Sequence, residues 1–122
     1  MFNSIQQFET AGIKNLRKAE DEFIRTRDMA NFINAIKEVV LHLGLDVVAE
    51  TLENYDAAIR KSPKQSEKWS VVRKDPKQLV TSLGTVQYRK TLFINKTTKE
   101  RYYLLDRELG LEKHQSITED AE

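Results

Sequence analysis

Apolar residues in the first part of the chain recur every three or four positions, which is the spacing of one face of an α-helix. The first such series runs from Ile5 to Phe23. Ser4 and Gln7 match a capping box at its start, in which the two side chains satisfy free backbone groups of the first turn. We therefore expect a first helix from about Ser4 to Arg25.

A second helical series follows a short polar break in which Asp28 is a candidate N-cap. It begins at Met29 and predicts a helix that ends near Arg60. Gly44 in its interior costs about 1 kcal/mol relative to alanine, and the apolar stripe is wider than the seam of a strict coiled coil. The two series therefore predict a helical hairpin over residues 1–61 rather than a coiled-coil arm.

The period of the apolar pattern changes after a polar linker at residues 62–68. A period of two, which indicates a β-strand, places four side chains on one face: Val86, Tyr88, Leu92 and Ile94. A turn signal at residues 82–84 precedes this strand, and residues 101–105 form a returning strand rich in aromatic and aliphatic side chains. These features predict an antiparallel meander over residues 69–107.

A further short strand is expected at Trp69, with Asp75 and Pro76 turning the chain after it. An isolated two-stranded hairpin is barely stable in water, so the meander has to pack on the helices or on other sequence. The predicted fold class is therefore α+β, with two long N-terminal helices followed by a small antiparallel sheet.

The last residues contain a helix start signal. Ser116 and Glu119 form the S-x-x-E pattern of a capping box, yet only three residues follow. A stable isolated helix needs about 12 to 15 residues. Residues 108–122 thus predict a turn and the beginning of an incomplete helix, and we expect the chain to be a fragment of a longer protein.

Charge is distributed unevenly along the chain. Residues 1–59 carry six basic and ten acidic side chains, residues 60–107 carry thirteen and four, and residues 108–122 carry one and five. The basic middle block can attract a phosphate backbone through a sequence-independent interaction that salt weakens. Lysines on a strand also block edge pairing, so charge alone leaves a solvated sheet edge as an alternative.

The composition excludes several classes of protein. The chain contains no cysteine, which rules out disulfide frameworks, thiol nucleophiles and cysteine zinc sites. No run approaches the roughly 18 apolar residues of a membrane span, and residues 1–10 lack the basic head and apolar stretch of a secretory signal. We therefore expect a cytoplasmic protein that does not contact a membrane.

An ordered string runs from Leu79 to Phe93 and continues at residues 102–106 and 109–111. With further similarity at residues 5–9, 12–16, 43–52 and 116–122, it resembles the ISLre group of insertion-sequence transposases, also catalogued as an uncharacterised protein family. Members of this group are several times longer than this chain. The resemblance implies the N-terminal, non-catalytic part of a transposase-like protein, with the metal-binding carboxylates for strand transfer further downstream.

Aromatic residues alternate with basic ones on the predicted hairpin, a mixture that can contact phosphates with charge and bases with rings. Alternation directs Tyr88 inward, which leaves Phe93 and one of Tyr102 and Tyr103 outside. The candidate DNA-binding residues are therefore Arg73, Lys74, Lys77, Arg89, Lys90, Phe93, Lys96, Lys99 and Arg101.

The acidic residues and histidines do not form a recognisable catalytic site. Two-metal phosphoryl transfer needs clustered carboxylates, whereas residues 20–22 are consecutive and splay around a helix. Asp106 fits a cap or turn position better than a metal ligand. His42 and Asp46 can meet on one helix face, but two ligands do not complete a zinc site. We expect no enzyme activity, cofactor or metal in this chain.

An assembly role is the alternative interpretation. The apolar stripe of the helical hairpin can be self-complementary and support a symmetric homodimer. The basic hairpin would then be only a soluble edge without a nucleic-acid role. The sequence leaves both functions open, and they can coexist in a transposase, so the expected partners are DNA, a second copy of the chain, or both.

Overall fold

The computed structural model describes residues 3–111 and confirms the predicted α+β class. Its elements are α1 Asn3–Gln7, a π-helical segment Phe8–Gly12, α2 Ile13–Thr26, α3 Met29–Lys61, α4 Pro63–Lys68, β1 Trp69–Thr81, β2 Gly84–Asn95, β3 Arg101–Tyr103 and α5 Leu104–Leu109. The chain divides into two compact units, Met1–Val48 and Ala49–Glu122. Helix α3 contributes residues to both.

A helical hairpin forms the described part of the first unit. Helix α2 ends where Arg27 adopts a left-handed backbone (φ 60°) and its N–H donates to the carbonyl of Phe23 at 2.6 Å. Helix α3 begins after Asp28, whose carboxylate accepts the N–H of Asn31 at 3.1 Å, so the predicted N-cap is confirmed. The rings of Phe23 and Phe32 stack with centroids 4.9 Å apart and join the two helices near this reversal.

The first predicted helix differs from the structure in two respects. Ser4 lies inside α1 rather than at its N-cap position, because the backbone is already helical at Asn3. The helix also contains the π-helical segment, in which Gly12 is buried. A Cβ atom at Gly12 would lie 2.3 Å from the ring of Phe8, so the close approach of this ring accounts for a glycine within the helix.

Helix α3 is continuous through Gly44, as the apolar period predicts. Residues 63–68 of the predicted polar linker form the short helix α4, with Pro63 in the first turn, where a missing N–H is tolerated. The N–H of Ser66 donates to the carbonyl of Ser62 at 3.1 Å. Within residues 3–111, no helix is long and apolar enough to span a bilayer.

The sheet has the order β1-β2-β3, and both strand pairs are antiparallel. Strands β1 and β2 pair over their whole length, from Trp69 opposite Asn95 to Thr81 opposite Gly84. A β-bulge at Val72 shifts the register by one residue. The turn predicted between the two strands is confirmed.

The turn predicted at Asp75 and Pro76 is wrong, because both residues continue strand β1. Pro76 pairs with Arg89, whose N–H donates to Glu53 at 2.8 Å and therefore points away from β1. The pair is thus of the non-hydrogen-bonded kind, and the nitrogen of Pro76 lies on the outer side of an edge strand. No ladder hydrogen bond is removed at this position, so the strand accommodates the proline.

One face of the β1–β2 hairpin supplies most of the sheet's core. Leu79, Val86, Tyr88 and Leu92 on this face are at most 6% exposed, which confirms the predicted alternation. Lys90 has the same parity along β2 and is buried with them.

The returning strand is shorter than predicted. Strand β3 ends at Tyr103, and Leu104 and Leu105 begin α5, where they are 4% and 0% exposed. Gly110 ends α5 with a left-handed backbone (φ 72°), as is typical of a helix C-terminus. The predicted helix start at Ser116 and Glu119 lies outside the described residues.

Candidate nucleic-acid interface

Most of the predicted DNA-binding residues lie at the protein surface. Lys77 is half-buried, and six of them are exposed: Arg73, Lys74, Arg89, Lys96, Lys99 and Arg101. Arg73 donates from Nε to Asp75 at 2.8 Å, so its charge is partly compensated. The assignment of these side chains to DNA stays a prediction.

Two of the predicted contacts are buried and cannot reach a macromolecule. Lys90 and Phe93 are each 2% exposed. Lys90 lies on the core face with Tyr88 and Leu92, where a carboxylate compensates its charge. Phe93 lies on the opposite face of the central strand, opposite Tyr102 of β3. The prediction that Lys90 and Phe93 contact DNA is therefore wrong.

Lys90 belongs to a buried polar network. Its Nζ lies 2.5 Å from Oδ2 of Asp106 and 4.1 Å from the ring centroid of Tyr103. The hydroxyl of Tyr103 donates to Asp75 at 2.6 Å, which raises the pKa of Tyr103 to about 12. The same hydrogen bond, together with that from Arg73, lowers the pKa of Asp75. Because buried charges need compensation, this network has a structural role that ties α5 to the sheet.

An aromatic pair of the half-buried Trp69 and the exposed Tyr102 lies on the face of the sheet opposite this network. Trp69 and Tyr102 meet edge to face, with ring centroids 5.8 Å apart and an interplanar angle of 85°. The guanidinium carbon of Arg107 lies 5.9 Å from the Trp69 ring centroid and 5.5 Å from that of Tyr102. The Tyr102 hydroxyl donates to Glu100 at 2.6 Å, which raises the pKa of Tyr102. Tyr102 remains 41% exposed.

A cleft of about 540 Å³ opens beside Trp69. Helix α4 contributes Lys64 and Lys68 to its lining, and Arg107 and Glu108 contribute from α5. Two hydrogen bonds from Lys96 fix α4 against the end of β2: its N–H donates to the carbonyl of Lys68 at 2.9 Å, and its Nζ donates to that of Ser66 at 2.7 Å. The cleft thus combines an aromatic ring with several cations.

Several exposed cations of α4, the β2–β3 connection and β3 are free of carboxylate partners, and two of them, Lys64 and Lys68, line the cleft. Within residues 3–111, no carboxylate oxygen lies within 4.0 Å of the side-chain nitrogens of Lys64, Lys68, Lys99 or Arg101. Uncompensated cations of this kind create a positive potential that attracts anions. Lys64, Lys68, Lys96, Lys99 and Arg101 are hereafter called the basic surface.

The remaining candidate residues do not form a metal site within the described part of the chain. His42 Nε2 and Asp46 Oδ2 lie 3.3 Å apart beside a cleft of about 460 Å³ in the first unit, and the His42 side chain is 80% exposed. No group of three or more potential ligands occurs among residues 3–111. Asp106 lies in the first turn of α5 and pairs with Lys90, which explains its burial.

Trp69 and Arg107 were not predicted to share a site. The sequence indicates a strand at Trp69 and one unnamed charge of the basic block at Arg107, because no local pattern links residues that are far apart along the chain. The pairing of Phe93 with Tyr102 and of Asn95 with Trp69 is what brings the two rings together. One available signal was Trp69 itself, which is the only tryptophan and follows the basic helix α4 directly.

Comparison with known proteins identifies relatives but no function. Residues 25–122 match the family described as "Uncharacterised protein family (UPF0236)". A UPF0236 protein of Caldanaerobacter subterraneus subsp. tengcongensis, whose name carries eleven locus numbers, is 31% identical over 98 residues, which cover 80% of this chain and 21% of the relative. A second from the same organism is 32% identical over 90 residues, or 74% of this chain and 20% of the relative. The chain thus spans about a fifth of these curated relatives, and no solved structure matches it.

Proposed function

The chain belongs to the uncharacterised protein family UPF0236, and from this premise we propose that it is a non-catalytic, DNA-contacting segment of a transposase-like protein. The resemblance of the string from Leu79 to Phe93 to ISLre-group transposases supports this proposal. The eleven locus numbers in one relative's name add support, since mobile elements occur in many copies per genome. In this proposal, strand transfer belongs to a part of the longer protein that the chain does not span.

The basic surface is the observation that carries the DNA-binding role. Its cations are exposed, and none of the five has a carboxylate partner among the described residues. The Nζ of Lys96 donates to a backbone carbonyl, so no carboxylate compensates its charge. Cations that bind phosphates release counterions, so binding has to weaken as the salt concentration rises.

Fluorescence anisotropy with a labelled DNA of arbitrary sequence tests this role. The triple variant Lys64→Gln/Lys68→Gln/Lys99→Gln is expected to bind more weakly than the wild type. The slope of log K against log salt should become shallower by about 0.7 to 0.9 for each phosphate that the variant no longer neutralises. The control variant Lys14→Gln/Lys18→Gln/Lys37→Gln removes three exposed cations from the first unit and should bind like the wild type. If the wild-type chain binds no DNA at low salt, the proposal fails.

An apolar stripe on α3 favours an assembly role as a second candidate function. Met29, Ile33 and Val40 are 56%, 55% and 54% exposed, and their spacing places them along one side of the helix. Exposed apolar residues in one line are typical of an interface with another chain. A second copy of the same chain could cover this stripe with its own stripe in a dimer related by a two-fold axis.

Light scattering over a range of protein concentrations tests the assembly role. The wild type is expected to dimerise, and Ile33→Glu/Val40→Glu should shift the equilibrium to the monomer. The control Asn34→Glu/Lys37→Glu places the same two new carboxylates at exposed positions of the same helix. A wild-type chain that remains monomeric at tens of micromolar would exclude a stable homodimer. DNA binding by such a monomer would leave the first proposal intact.

A further inference from the structure

We propose that the cleft beside Trp69 binds an unpaired nucleotide, so that the basic surface prefers single-stranded DNA to duplex DNA. This inference rests on the proposed DNA-binding function and specifies the form of nucleic acid that the site takes. It follows from the aromatic pair, the cation that covers it and the polar groups that line the cleft.

The ring of Trp69 is covered by a group that a base can replace. The guanidinium of Arg107 lies 5.9 Å from the ring centroid, and no carboxylate of residues 3–111 pairs with it. A guanidinium is planar and stacks on aromatic faces as a nucleobase does. A base that stacks on Trp69 therefore displaces an exposed side chain without breaking an ion pair. Arg107 can then contact the adjacent phosphate or cover the outer face of the base.

The neighbouring ring supports the same geometry. The rings of Tyr102 and Trp69 meet edge to face at 85°, so Tyr102 buttresses the indole without stacking parallel to it. The hydrogen bond from its hydroxyl to Glu100 at 2.6 Å holds the ring in place. A rigid platform of this kind costs little conformational entropy when a ligand binds.

Polar groups for both parts of a nucleotide line the cleft. Lys64 and Lys68 supply charges for a phosphodiester. The Oδ1 atom of Asn95 accepts the N–H groups of Thr97 and Thr98, each at 2.9 Å, which leaves the amide NH₂ as a donor for a base carbonyl. The cleft volume of about 540 Å³ lies within the usual range for small-ligand sites.

Duplex DNA cannot use this platform as it stands. The faces of paired bases are stacked inside the duplex, and extruding one base costs a few kcal/mol. Base–aromatic stacking is available at once to a single strand and tolerates any sequence. The site is therefore expected to distinguish the two forms of DNA by the accessibility of base faces rather than by sequence.

The intrinsic fluorescence of Trp69 tests this inference directly, because it is the only tryptophan of the chain. An oligothymidylate of about ten nucleotides should quench the Trp69 emission to saturation, with at least about fivefold tighter binding than a hairpin duplex of equal nucleotide number. Absence of quenching while the single strand binds, or equal quenching and affinity for the duplex, would overturn the inference. This measurement uses the wild-type chain and does not depend on the folding of a variant.

A pair of tyrosine variants provides a second test. Tyr102→Leu keeps an apolar side chain beside Trp69 but removes the aromatic buttress, and it should lower the affinity for oligothymidylate about tenfold. Tyr55→Leu is the matched control, because Tyr55 is 43% exposed on α3 and should leave binding unchanged. If Tyr102→Leu binds like the wild type, the cleft is not the base-binding site, although DNA binding through the basic surface stands. If neither form of DNA binds the wild type, the proposed function itself fails.

Discussion

The carboxylate of Asp56 accepts two hydrogen bonds from Thr91, one from its backbone N–H at 3.0 Å and one from its hydroxyl at 2.6 Å. Both residues are buried, at 1% and 0% exposure. Glu53, one turn earlier on α3, accepts the N–H of Arg89 at 2.8 Å. Strand β3 pairs only with residues 92–94 of β2. The carboxylates of Glu53 and Asp56 therefore accept the backbone N–H groups of β2 along the part of its edge that no neighbouring strand covers.

Removing the Asp56 carboxylate should cost much more stability than removing that of Glu53. Asp56→Ala leaves a buried N–H and a buried hydroxyl of Thr91 without their charged acceptor, so the free energy of unfolding should fall by about 3 kcal/mol. Glu53→Ala should cost less than about 1 kcal/mol, because Arg89 is exposed and water can replace the carboxylate. Urea unfolding of the two variants measures both values. Equal decreases would contradict the assigned role of Asp56.

Lys90 and Asp106 should behave as a buried ion pair whose members depend on each other. Lys90→Met alone is expected to lower the free energy of unfolding by about 3 to 5 kcal/mol, because it leaves a buried carboxylate without a counter-charge. The Oδ1 atom of Asp106 already lacks a hydrogen-bond partner among the described residues. The double variant Lys90→Met/Asp106→Leu should recover most of this decrease, since an apolar pair of similar volume needs no compensation.

A double-mutant cycle measured by denaturant unfolding checks this prediction. A coupling energy near zero, with the effects of the two single variants simply adding, would mean that the pair is not the compensated unit described above. DNA binding by the folded double variant should equal that of the wild type, because neither side chain reaches the surface.

Periodicity and local caps made the helices and the β2 strand predictable from sequence. The apolar series through Met29 gives α3 its bounds, and the single carboxylate of Asp28 marks the start of the helix. The alternation from Val86 to Leu92 gives the buried face of β2. These signals are local, so they do not depend on knowing which distant residue lies opposite.

The features that sequence analysis got wrong depend on partners that are distant in sequence. The same alternation that buries Tyr88 also buries Lys90. The charge of Lys90 nevertheless predicted a solvent-exposed side chain, because the carboxylate that compensates it, Asp106, lies sixteen residues away in the sequence. Pro76 indicated a turn because proline is rare inside a sheet. Strand β1 accommodates it only because the N–H of its partner Arg89 donates to Glu53 and not to β1, which the local sequence does not show. The contact of Trp69 with Tyr102, on which the proposed base-binding site rests, depends in the same way on strand pairing, and no local motif contains both rings.

The hydrogen bond between Tyr103 and Asp75 should make stability depend on pH at both extremes. The pKa of Tyr103 is raised to about 12 from its ordinary value of 10, so its contribution is complete below pH 10 and is lost as the pH rises toward 12. The pKa of Asp75 is lowered from 3.8, so its contribution is present above that value and is lost as the pH falls through the lowered one.

The variant Tyr103→Phe isolates this contribution. The difference in unfolding free energy between wild type and variant should be constant from about pH 5 to 9 and should shrink outside that window. The pKa of Tyr88 is also raised to about 12, chiefly by burial, but both proteins contain Tyr88 and its effect cancels in the difference. A difference that persists unchanged at about pH 12 would show that the hydrogen bond does not set the pKa of Tyr103.

The register of strand β1 predicts opposite tolerances to proline at adjacent positions. Pro76 faces Arg89 in a non-hydrogen-bonded pair, so the next pair, Lys77 with Tyr88, is of the hydrogen-bonded kind. Pro76→Thr should change the free energy of unfolding by less than about 1 kcal/mol, mainly through the entropy of the unfolded chain. Lys77→Pro should lower it by about 2 kcal/mol or more, because it removes a donor to β2 and leaves a buried acceptor unpaired. Guanidinium unfolding of the two variants decides the matter: a larger decrease for Pro76→Thr than for Lys77→Pro would place the register one residue away from the assigned pairing.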